Sequence, residues 1–279
     1  MLNFRLIDPL IELALVEDVG SGDITTESTI SKFQAARGTI VVHNSGVIAG
    51  LPIAERVFGK IDPSLKFESF VSDGYFVQET APIASVTGTT SSILTSERIA
   101  LNFLQRLSGT ATLTAEFVAA TAEYPVKILD TRKTTAGWRT IQKYAVQVGG
   151  GHNHRFGLYD GILIKDNHII AAGGVARAVE QARIIAPHTS RIEIEVETLD
   201  QVQEALQAQA DILLFDNMPV GIMKAAVELV NGRAITEASG GITLEKVEAV
   251  AASGVDLISV GALTHSAVPL DMSLDLEIC

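Results

Sequence analysis

Short apolar segments with strand character alternate with helical segments through the second half of the chain. Typical helical segments are Leu199–Ala208, Val220–Val230 and Leu244–Ala252. The strand segments are Val126–Leu129, Gly161–Ile164, Arg191–Val196, Asp211–Phe215, Arg233–Glu237 and Asp256–Val260. Repeated β/α units require parallel strands with right-handed crossovers. Because a complete eight-unit barrel takes about 250 residues, we predict a short or open α/β barrel of six or seven parallel strands.

A doubly wound open sheet is the alternative for this region. No Gly-x-Gly-x-x-Gly sequence follows the first predicted strand, so the usual dinucleotide-binding signal of such a sheet is missing.

The first part of the chain has a different pattern. Its extended runs Gly38–His43, Leu65–Val71 and Pro82–Thr87 are separated by turn sequences, which predicts an antiparallel sheet. Apolar residues at helical spacing then predict a long helix from an N-cap at Ser96 to about Glu123, with room for a break near Ser108-Gly109. The predicted organisation is an α+β domain over residues 1–110, joined by the C-terminal tail 268–279, and a catalytic barrel over residues 111–267.

Composition excludes several functional classes. The chain has 47% hydrophobic and 19% charged residues, but no apolar run approaches the roughly 20 residues of a membrane span. The first twenty residues are acidic and unlike a signal peptide, so we expect a cytoplasmic protein. A net charge of −12 argues against nucleic-acid binding. The single cysteine, Cys279, excludes an intrachain disulfide and a cysteine metal site.

Charge is segregated along the chain. Basic residues outnumber acidic ones from Arg98 to Lys165, whereas the segment from Ile192 to Asp216 is acidic and has no lysine or arginine. A site that holds a polyanion at one end and a cation at the other needs this arrangement. The alternative is that the basic and the acidic segments are two ordinary solvent-exposed faces, which would show the same numbers of charged residues.

Polar residues follow every predicted barrel strand. The six strand ends carry Asp130–Lys133, Lys165–His168, Glu195–Glu197, Asp216-Asn217, Glu237–Gly241 and Gly261-Ala262. A single charged strand end can simply face water, but barrel enzymes place their catalytic groups at this mouth. The six ends together therefore predict the active site.

Glycines in the last two strand-to-helix loops indicate phosphate binding. Ser239-Gly240-Gly241 precedes a helix that starts near Thr243, and Gly261 follows the last strand. Glycine lets backbone N–H groups approach an anion, and a helix start adds its dipole. Paired glycines also occur in ordinary tight turns.

Cationic residues cluster on the first two β/α units. Arg132, Lys133, His154, Arg155 and Lys165 suit a small polycarboxylate, because arginine donates two parallel hydrogen bonds to a carboxylate. Arg139 and Lys143 are instead interpreted as residues of an outer helix face. His152 and His154 form only a weak candidate metal pair, since no further histidine or cysteine lies near them in the sequence.

Two carboxylates lie at the ends of neighbouring predicted strands and are opposite in charge to the cationic cluster. Glu195 and Asp216 suit Mg²⁺ carrying a pyrophosphate, or the hydroxyls and developing positive charge of a ribosyl group. An ordinary acidic rim is the alternative.

Six sequence runs, in the same order along the chain, resemble those of quinolinate phosphoribosyltransferases. They cover nearly the whole chain and are Glu17–Thr26, Leu101–Gly109, Asp130–Thr134, Gly149–Arg155, Leu163–His168 and Phe215–Met218. The resemblance implies an N-terminal sheet domain, a six- or seven-stranded barrel, and a homodimer, or a larger assembly of dimers, with active sites shared between subunits. It also implies the transfer of a phosphoribosyl group from phosphoribosyl pyrophosphate to quinolinate with loss of CO₂, a step of NAD biosynthesis.

The resemblance assigns roles to individual residues. Lys133, Lys165, Glu195 and Asp216 are implied to be catalytic, and Glu195 and Asp216 to hold Mg²⁺ directly or through the pyrophosphate. Quinolinate is implied to contact Arg132, His154, Arg155 and Lys165, together with Arg98 of the other subunit. The implied phosphoribosyl pyrophosphate site comprises Lys133, Glu195, Asp216, Ser239, Gly240, Gly241, Gly261 and His265.

Two other functions fit parts of the pattern. Lys165 at a strand end is also where a Schiff-base aldolase keeps its nucleophile, and borohydride trapping would detect that chemistry. A sensor of phosphorylated ligands could keep the ring of charges without turnover, but it has no need for separate cationic and anionic groups matched to a reaction.

Overall fold

The computed structural model describes residues 2–31 and 33–279. The chain forms two compact units, and each is discontinuous in sequence. One unit contains the N-terminal region up to Ala115 together with Thr135–Gly150 and Ser266–Cys279, and the other contains Glu116–Thr134 and Gly151–His265. No helix within the described part of the chain is both long and apolar enough to cross a bilayer.

The first unit is built on a four-stranded antiparallel sheet. The sheet has the order β12-β1-β5-β3, and a second pair joins β2 to β4. The strands are β1 (Ala35–Val42), β2 (Gly46–Val47), β3 (Lys66–Ser69), β4 (Phe76–Val77), β5 (Ala81–Thr89) and β12 (Met272–Ile278), and the helices are α1 (Phe4–Val19), α2 (Ile24–Thr29), α3 (Leu51–Ile61), α4 (Thr90–Ala120) and α5 (Arg139–Val148). The predicted antiparallel sheet with helices is confirmed.

Alternation of side chains builds the core of this unit. In β1, Ala36, Ile40 and Val42 are fully buried, and they join Ile83 and Val86 of β5 in one apolar cluster. A strand that buries alternate residues presents one face to a core, and the helices supply the apolar residues that cover it.

Helix α4 differs from its prediction at two points. It begins at Thr90, so Ser96 is an interior residue whose hydroxyl donates to the carbonyl of Ser92 at 2.5 Å, and the predicted N-cap is wrong. The helix also continues through Ser108-Gly109. A Cβ on Gly109 would overlap the carbonyl oxygen of Val268, so glycine allows close backbone packing there rather than a break.

Helix α5 lies in the first unit, whereas the predicted boundary placed residues 135–150 in the barrel. Ile141 and Ala145 belong to the first unit's apolar cluster, and Trp138 stacks on Phe103 with ring centroids 5.0 Å apart. Lys143 is fully buried, so the interpretation of this lysine as an outer-face residue is wrong.

The second unit is a six-stranded parallel sheet with helices between its strands. The strand order is β6-β11-β10-β9-β8-β7, which leaves β6 and β7 at the two edges. The strands are β6 (Lys127–Leu129), β7 (Ile162–Ile164), β8 (Ile192–Val196), β9 (Ile212–Asp216), β10 (Ile235–Ser239) and β11 (Leu257–Ser259), and the helices are α6 (Asp166–Ala172), α7 (Val175–Ile185), α8 (Leu199–Gln207), α9 (Val220–Val230), α10 (Leu244–Ala251) and α11 (Ala262–His265). The predicted short parallel barrel is confirmed, with six strands.

Strand β8 shows how the second unit orients its polar groups. Ile192, Ile194 and Val196 are completely buried, and the two glutamates between them, Glu193 and Glu195, project to the opposite face. Since successive side chains alternate between the faces of a sheet, the apolar residues meet the helices and the glutamates point into the barrel. The same alternation places Glu237 and Ser239 of β10 on the interior face.

Candidate active site

A cavity of about 550 Å³ lies at the carboxyl ends of the barrel strands. It brings together most of the residues that the sequence predicts for the site. They comprise the cations Arg132, Lys133, Arg155 and Lys165, the carboxylates Glu195 and Asp216, the imidazole of His154, and the Ser239-Gly240-Gly241 loop. One cavity therefore holds both the cationic and the anionic groups.

Arg98, Gly261 and His265 are the predicted residues that do not line this cavity. Gly261 and His265 are nevertheless neighbours of Lys133: a Cβ on Gly261 would lie 3.1 Å from both Cδ of Lys133 and Nε2 of His265. Arg98 belongs to the first unit, on α4, where 59% of its side chain is exposed.

Asp130 positions the segment that carries His154 and Arg155. It is fully buried, and its Oδ1 accepts a hydrogen bond from the backbone N–H of His154 at 2.9 Å. Backbone bonds from His152 to Ile128 and from Asp130 to His152 hold the segment alongside β6. This aspartate at a strand end is thus a supporting residue, which its place in the sequence did not distinguish from an exposed one.

Arg155 is a partly buried cation beside another cation. Its Nη1 donates to the carbonyl of Gly161 at 3.0 Å. Burial, and then the positive charge of Arg132, lower the pKa of Arg155 from its usual value. Two guanidinium groups held close together favour an anionic ligand between them, as a dicarboxylate would be.

Lys165 and Glu195 form an ion pair inside the cavity. Lys165 follows β7 and keeps 44% of its side chain exposed, whereas Glu195 on β8 is only 12% exposed. The ammonium is therefore held at the junction between the cationic and the acidic parts of the site.

The loop after β10 has a backbone suited to an anion. Gly240 and Gly241 both have positive φ angles, of 93° and 59°, a region that glycine adopts without strain. The carbonyl of Ser239 accepts from the N–H of Asn217 at 2.9 Å, which ties this loop to the end of β9. Lys133 is tied to the last loop in turn, because its carbonyl accepts from Oγ1 of Thr264 at 2.8 Å.

Glu195 and Asp216 are the carboxylates of the cavity that the sequence predicts for the site. Oδ2 of Asp216 accepts a hydrogen bond from Nδ2 of Asn217 at 3.0 Å, which orients the group. Over residues 2–31 and 33–279, no cluster of three or more potential ligands includes either carboxylate. A site for Mg²⁺ at these two carboxylates therefore stays a prediction.

The sequence did not predict the burial of four charged residues. Asp130 and Lys143 are fully buried, Glu237 is 1% exposed and Glu193 is 5% exposed. Burial and the neighbouring charge of Glu193 raise the pKa of Glu237 to about 7. For Glu193 the sequence signal was the alternation of glutamate with isoleucine and valine in β8, which equally fits a strand with one face in water.

Comparison with known proteins decides the family. A model described as quinolinate phosphoribosyl transferase, N-terminal domain, matches residues 23–108, and the corresponding C-terminal domain model matches residues 110–275. The chain belongs to the quinolinate phosphoribosyltransferase family. The resemblance seen in the sequence is therefore confirmed.

Relatives in this family match the chain over almost its whole length. A protein of Bacillus subtilis (strain 168), named probable nicotinate-nucleotide pyrophosphorylase (carboxylating), is 43% identical over 99% of this chain and 96% of its own length. A protein of Synechocystis with the same name is 42% identical, over 97% of this chain and 92% of its own length. The crystal structure of NadC from Streptococcus pyogenes is 40% identical and covers 100% of this chain and 99% of its own, with a TM-score of 0.96.

Proposed function

We propose that this chain catalyses the phosphoribosyl transfer after which its family is named. Quinolinate and phosphoribosyl pyrophosphate would give nicotinate mononucleotide, pyrophosphate and CO₂, a step in the de novo synthesis of NAD. The observation that carries the proposal is the single cavity in which four cationic side chains, the carboxylates Glu195 and Asp216, and a glycine loop converge. The relatives' names support the same reaction.

The cationic part of the cavity is the proposed quinolinate site. The guanidinium groups of Arg132 and Arg155 would bind the two carboxylates of the substrate, with Lys165 beside them. Arginine gives such a dianion both charge and paired donors. Carboxylate oxygens bound by guanidinium groups are poor nucleophiles. The pyridine nitrogen, which keeps its electron pair, is therefore the group that attacks.

The acidic part and the glycine loop would hold the second substrate. Lys133 and the N–H groups around Gly240 and Gly241 would contact the phosphates, with Gly261 and His265 close to Lys133. Glu195 and Asp216 would orient the ribose hydroxyls and favour positive charge on the ribose ring in the transition state. A bound Mg²⁺ would neutralise charge on the departing pyrophosphate.

The proposed bond changes balance without an oxidant or reductant. The ring nitrogen of quinolinate forms a bond to the anomeric carbon as the bond from that carbon to the pyrophosphate oxygen breaks. The carboxylate beside the now positive nitrogen then leaves as CO₂, and its electron pair remains on the ring carbon. A proton completes the step, and the Lys165 ammonium is the proposed donor because it lies between the two parts of the site.

The ion pair of Lys165 weighs against the aldolase alternative. Schiff-base formation requires a free amine, and an ammonium paired with Glu195 has no electron pair with which to attack a carbonyl. Membership in a family of enzymes also weighs against the other alternative, a sensor that binds phosphorylated ligands without turnover.

We further propose a homodimer in which Arg98 of one subunit completes the quinolinate site of the other. Two observations support it: the guanidinium of Arg98 is exposed, and large apolar side chains are exposed on the barrel unit, namely Leu158, Tyr159, Ile170, Ile184 and Ile185. Exposed apolar groups of this kind are typical of interfaces. A cytoplasmic location stays a prediction.

The test is an assay of purified protein with quinolinate, phosphoribosyl pyrophosphate and Mg²⁺. Release of CO₂ and formation of the mononucleotide are both measured, and nicotinate serves as the control substrate. We expect turnover of quinolinate only, because the cationic part of the site is matched to two carboxylates. Absence of turnover by a folded protein would contradict the proposed function.

A further inference from the structure

The imidazole of His154 is held between two glutamates inside the barrel. Its Nε2 lies 3.2 Å from Oε2 of Glu193 and 3.6 Å from Oε1 of Glu237. The three side chains are 12%, 7% and 1% exposed, respectively. The contacts are therefore made almost entirely out of water, where electrostatic interactions are strongest.

The two glutamates reach His154 from different strands. Glu193 is level with Ile212 of β9, and Glu237 is level with Leu214 of the same strand. Alternation directs both glutamates to the barrel interior, so they lie on either side of β9 and at different heights. Their meeting at one imidazole is a property of the fold and cannot be read from sequence spacing.

The contacts of His154 define the tautomer of the ring. Nε2 carries the proton and donates it to Glu193, whereas Oε1 of Glu237, 3.6 Å from Nε2, lies beyond hydrogen-bond distance and acts on the ring electrostatically. Nδ1 lies 2.6 Å from the backbone nitrogen of Arg155 and accepts from its N–H. Because both ring nitrogens have partners, the imidazole is fixed in one orientation. Its Nδ1 also holds the backbone N–H of Arg155 in place.

Glu193 also supplies negative charge behind the cationic cluster. The charge of Arg132 opposes the ionisation of Arg155, while that of Glu193 favours it. Burying two carboxylates is costly unless they have compensating partners. Oε1 of Glu237 has no hydrogen-bond partner within 3.5 Å, so this cost is not fully offset in the free protein.

We propose that Glu193 and Glu237 are positioning residues for quinolinate. They fix the Nε2–H form and the orientation of His154, and through His154 they hold Arg155 ready for the substrate carboxylate. This inference rests on the proposed function. It adds two residues, deep in the barrel, that touch neither substrate.

The experiment compares Glu237→Leu, Glu237→Gln and the control Glu248→Gln, at an exposed residue of α10, with the wild type. Binding of quinolinate and of phosphoribosyl pyrophosphate with Mg²⁺ is measured separately by calorimetry, without turnover. Thermal unfolding and the side-chain ¹⁵N shifts of His154 are recorded on the same samples. Leucine is close to glutamate in volume and removes one of two like charges, so Glu237→Leu is expected to fold.

We expect Glu237→Leu to weaken quinolinate binding about tenfold or more, equivalent to about 1.4 kcal/mol, and to leave phosphoribosyl pyrophosphate binding within about twofold. The ¹⁵N shifts should move away from the Nε2–H pattern, and thermal stability should not fall. Glu237→Gln should recover most of the affinity, since its amide oxygen still directs the negative end of a dipole at Nε2. Glu248→Gln should match the wild type.

Three results would overturn the inference. One is wild-type quinolinate affinity in Glu237→Leu, and another is an equal loss for both ligands, which would indicate a purely structural role. The third is stoichiometric bound metal in the wild type, because the ligand atoms of His154, Glu193 and Glu237 all lie within 4.8 Å of one another and could hold an ion. Failure of the wild type itself to bind and convert quinolinate would instead contradict the proposed function, and the ¹⁵N shifts would still report the orientation of His154.

Discussion

The side chain of Asn217 occupies the space that a Cβ on Gly240 would need. A Cβ built on Gly240 would overlap Oδ1 of Asn217 and lie 2.9 Å from its Nδ2. Asn217 itself has a positive φ of 53° and donates its backbone N–H to the carbonyl of Ser239. The ends of β9 and β10 are thus packed together with no space for a side chain.

Gly240→Ala should weaken phosphoribosyl pyrophosphate binding. Alanine at a φ of 93° is strained by about 1 kcal/mol or more, and relief of the overlap must move either the loop or Asn217. We expect a KM for phosphoribosyl pyrophosphate raised about tenfold, a smaller change for quinolinate, and a lower unfolding temperature. Gly221→Ala is the matched control, since nothing lies within 4 Å of the added Cβ. Wild-type kinetics in Gly240→Ala would argue against a phosphate role for this loop.

Arg132→Ala should damage quinolinate binding far more than phosphoribosyl pyrophosphate binding. Loss of a charged, two-pronged donor to a carboxylate costs about 1.5–3 kcal/mol, so we expect the quinolinate KM to rise about 10- to 100-fold. Separate titration of each substrate in steady-state assays checks this. The exposed Arg177→Ala on α7 controls for loss of one positive charge. Equal losses for both substrates would refute the role assigned to Arg132.

Lys165→Met should lower kcat more than it changes either KM. A general acid contributes about 10²- to 10⁴-fold to a rate, and methionine keeps the length of the side chain without its charge. Rapid-quench measurement of CO₂ release in a single turnover isolates this step. Wild-type enzyme treated with borohydride in the presence of substrate should form no adduct on Lys165. A trapped adduct would support the Schiff-base aldolase hypothesis instead.

Asp216→Asn should raise the Mg²⁺ concentration required for half-maximal activity. The amide keeps one oxygen but loses the charge that attracts a hard cation. Titration of Mg²⁺ at saturating substrates measures the change, with the exposed Asp200→Asn on α8 as the control. An unchanged Mg²⁺ requirement would place the ion on the pyrophosphate alone, without help from this carboxylate.

The pH dependence of stability should change in Glu237→Gln. Burial raises the pKa of Glu237 from 4.5 to about 7, so between these values the folded protein binds more protons than the unfolded chain. The free energy of unfolding of the wild type therefore falls as pH rises through this window. Glutamine does not titrate, so the variant should gain stability relative to the wild type from pH 5 to pH 8. Denaturant unfolding at both pH values measures the difference, and a constant difference would contradict the shifted pKa.

The order of the barrel elements could be predicted from sequence because each strand is short, apolar and followed by a helix. The helix α9 has the predicted bounds, Val220–Val230. The cavity residues could be predicted as well, since parallel strands bring their carboxyl ends to one mouth. Topology alone therefore predicted that Lys165 and Glu195 lie at the same mouth of the barrel.

Burial of charge could not be predicted in the same way. Glu193 and Lys143 occur in patterns that fit an exposed face, and each is nevertheless enclosed. Whether such a group tolerates burial depends on partners distant in sequence, as His154 is from Glu237. The start of α4 was predicted wrongly for a different reason. Several residues that can cap a helix precede Ser96, namely Thr89, Thr90, Ser91 and Ser92.

Strand β12 pairs along nearly all of β1, from Ala36 with Ile278 to Val42 with Met272. During synthesis on the ribosome, β1 emerges early and β12 emerges only after the entire barrel sequence. One edge of β1 therefore stays unpaired while the barrel is being made, and an open strand edge invites pairing with other chains. The nascent chain is most vulnerable to association with its neighbours in this interval, which ends when β12 pairs with β1.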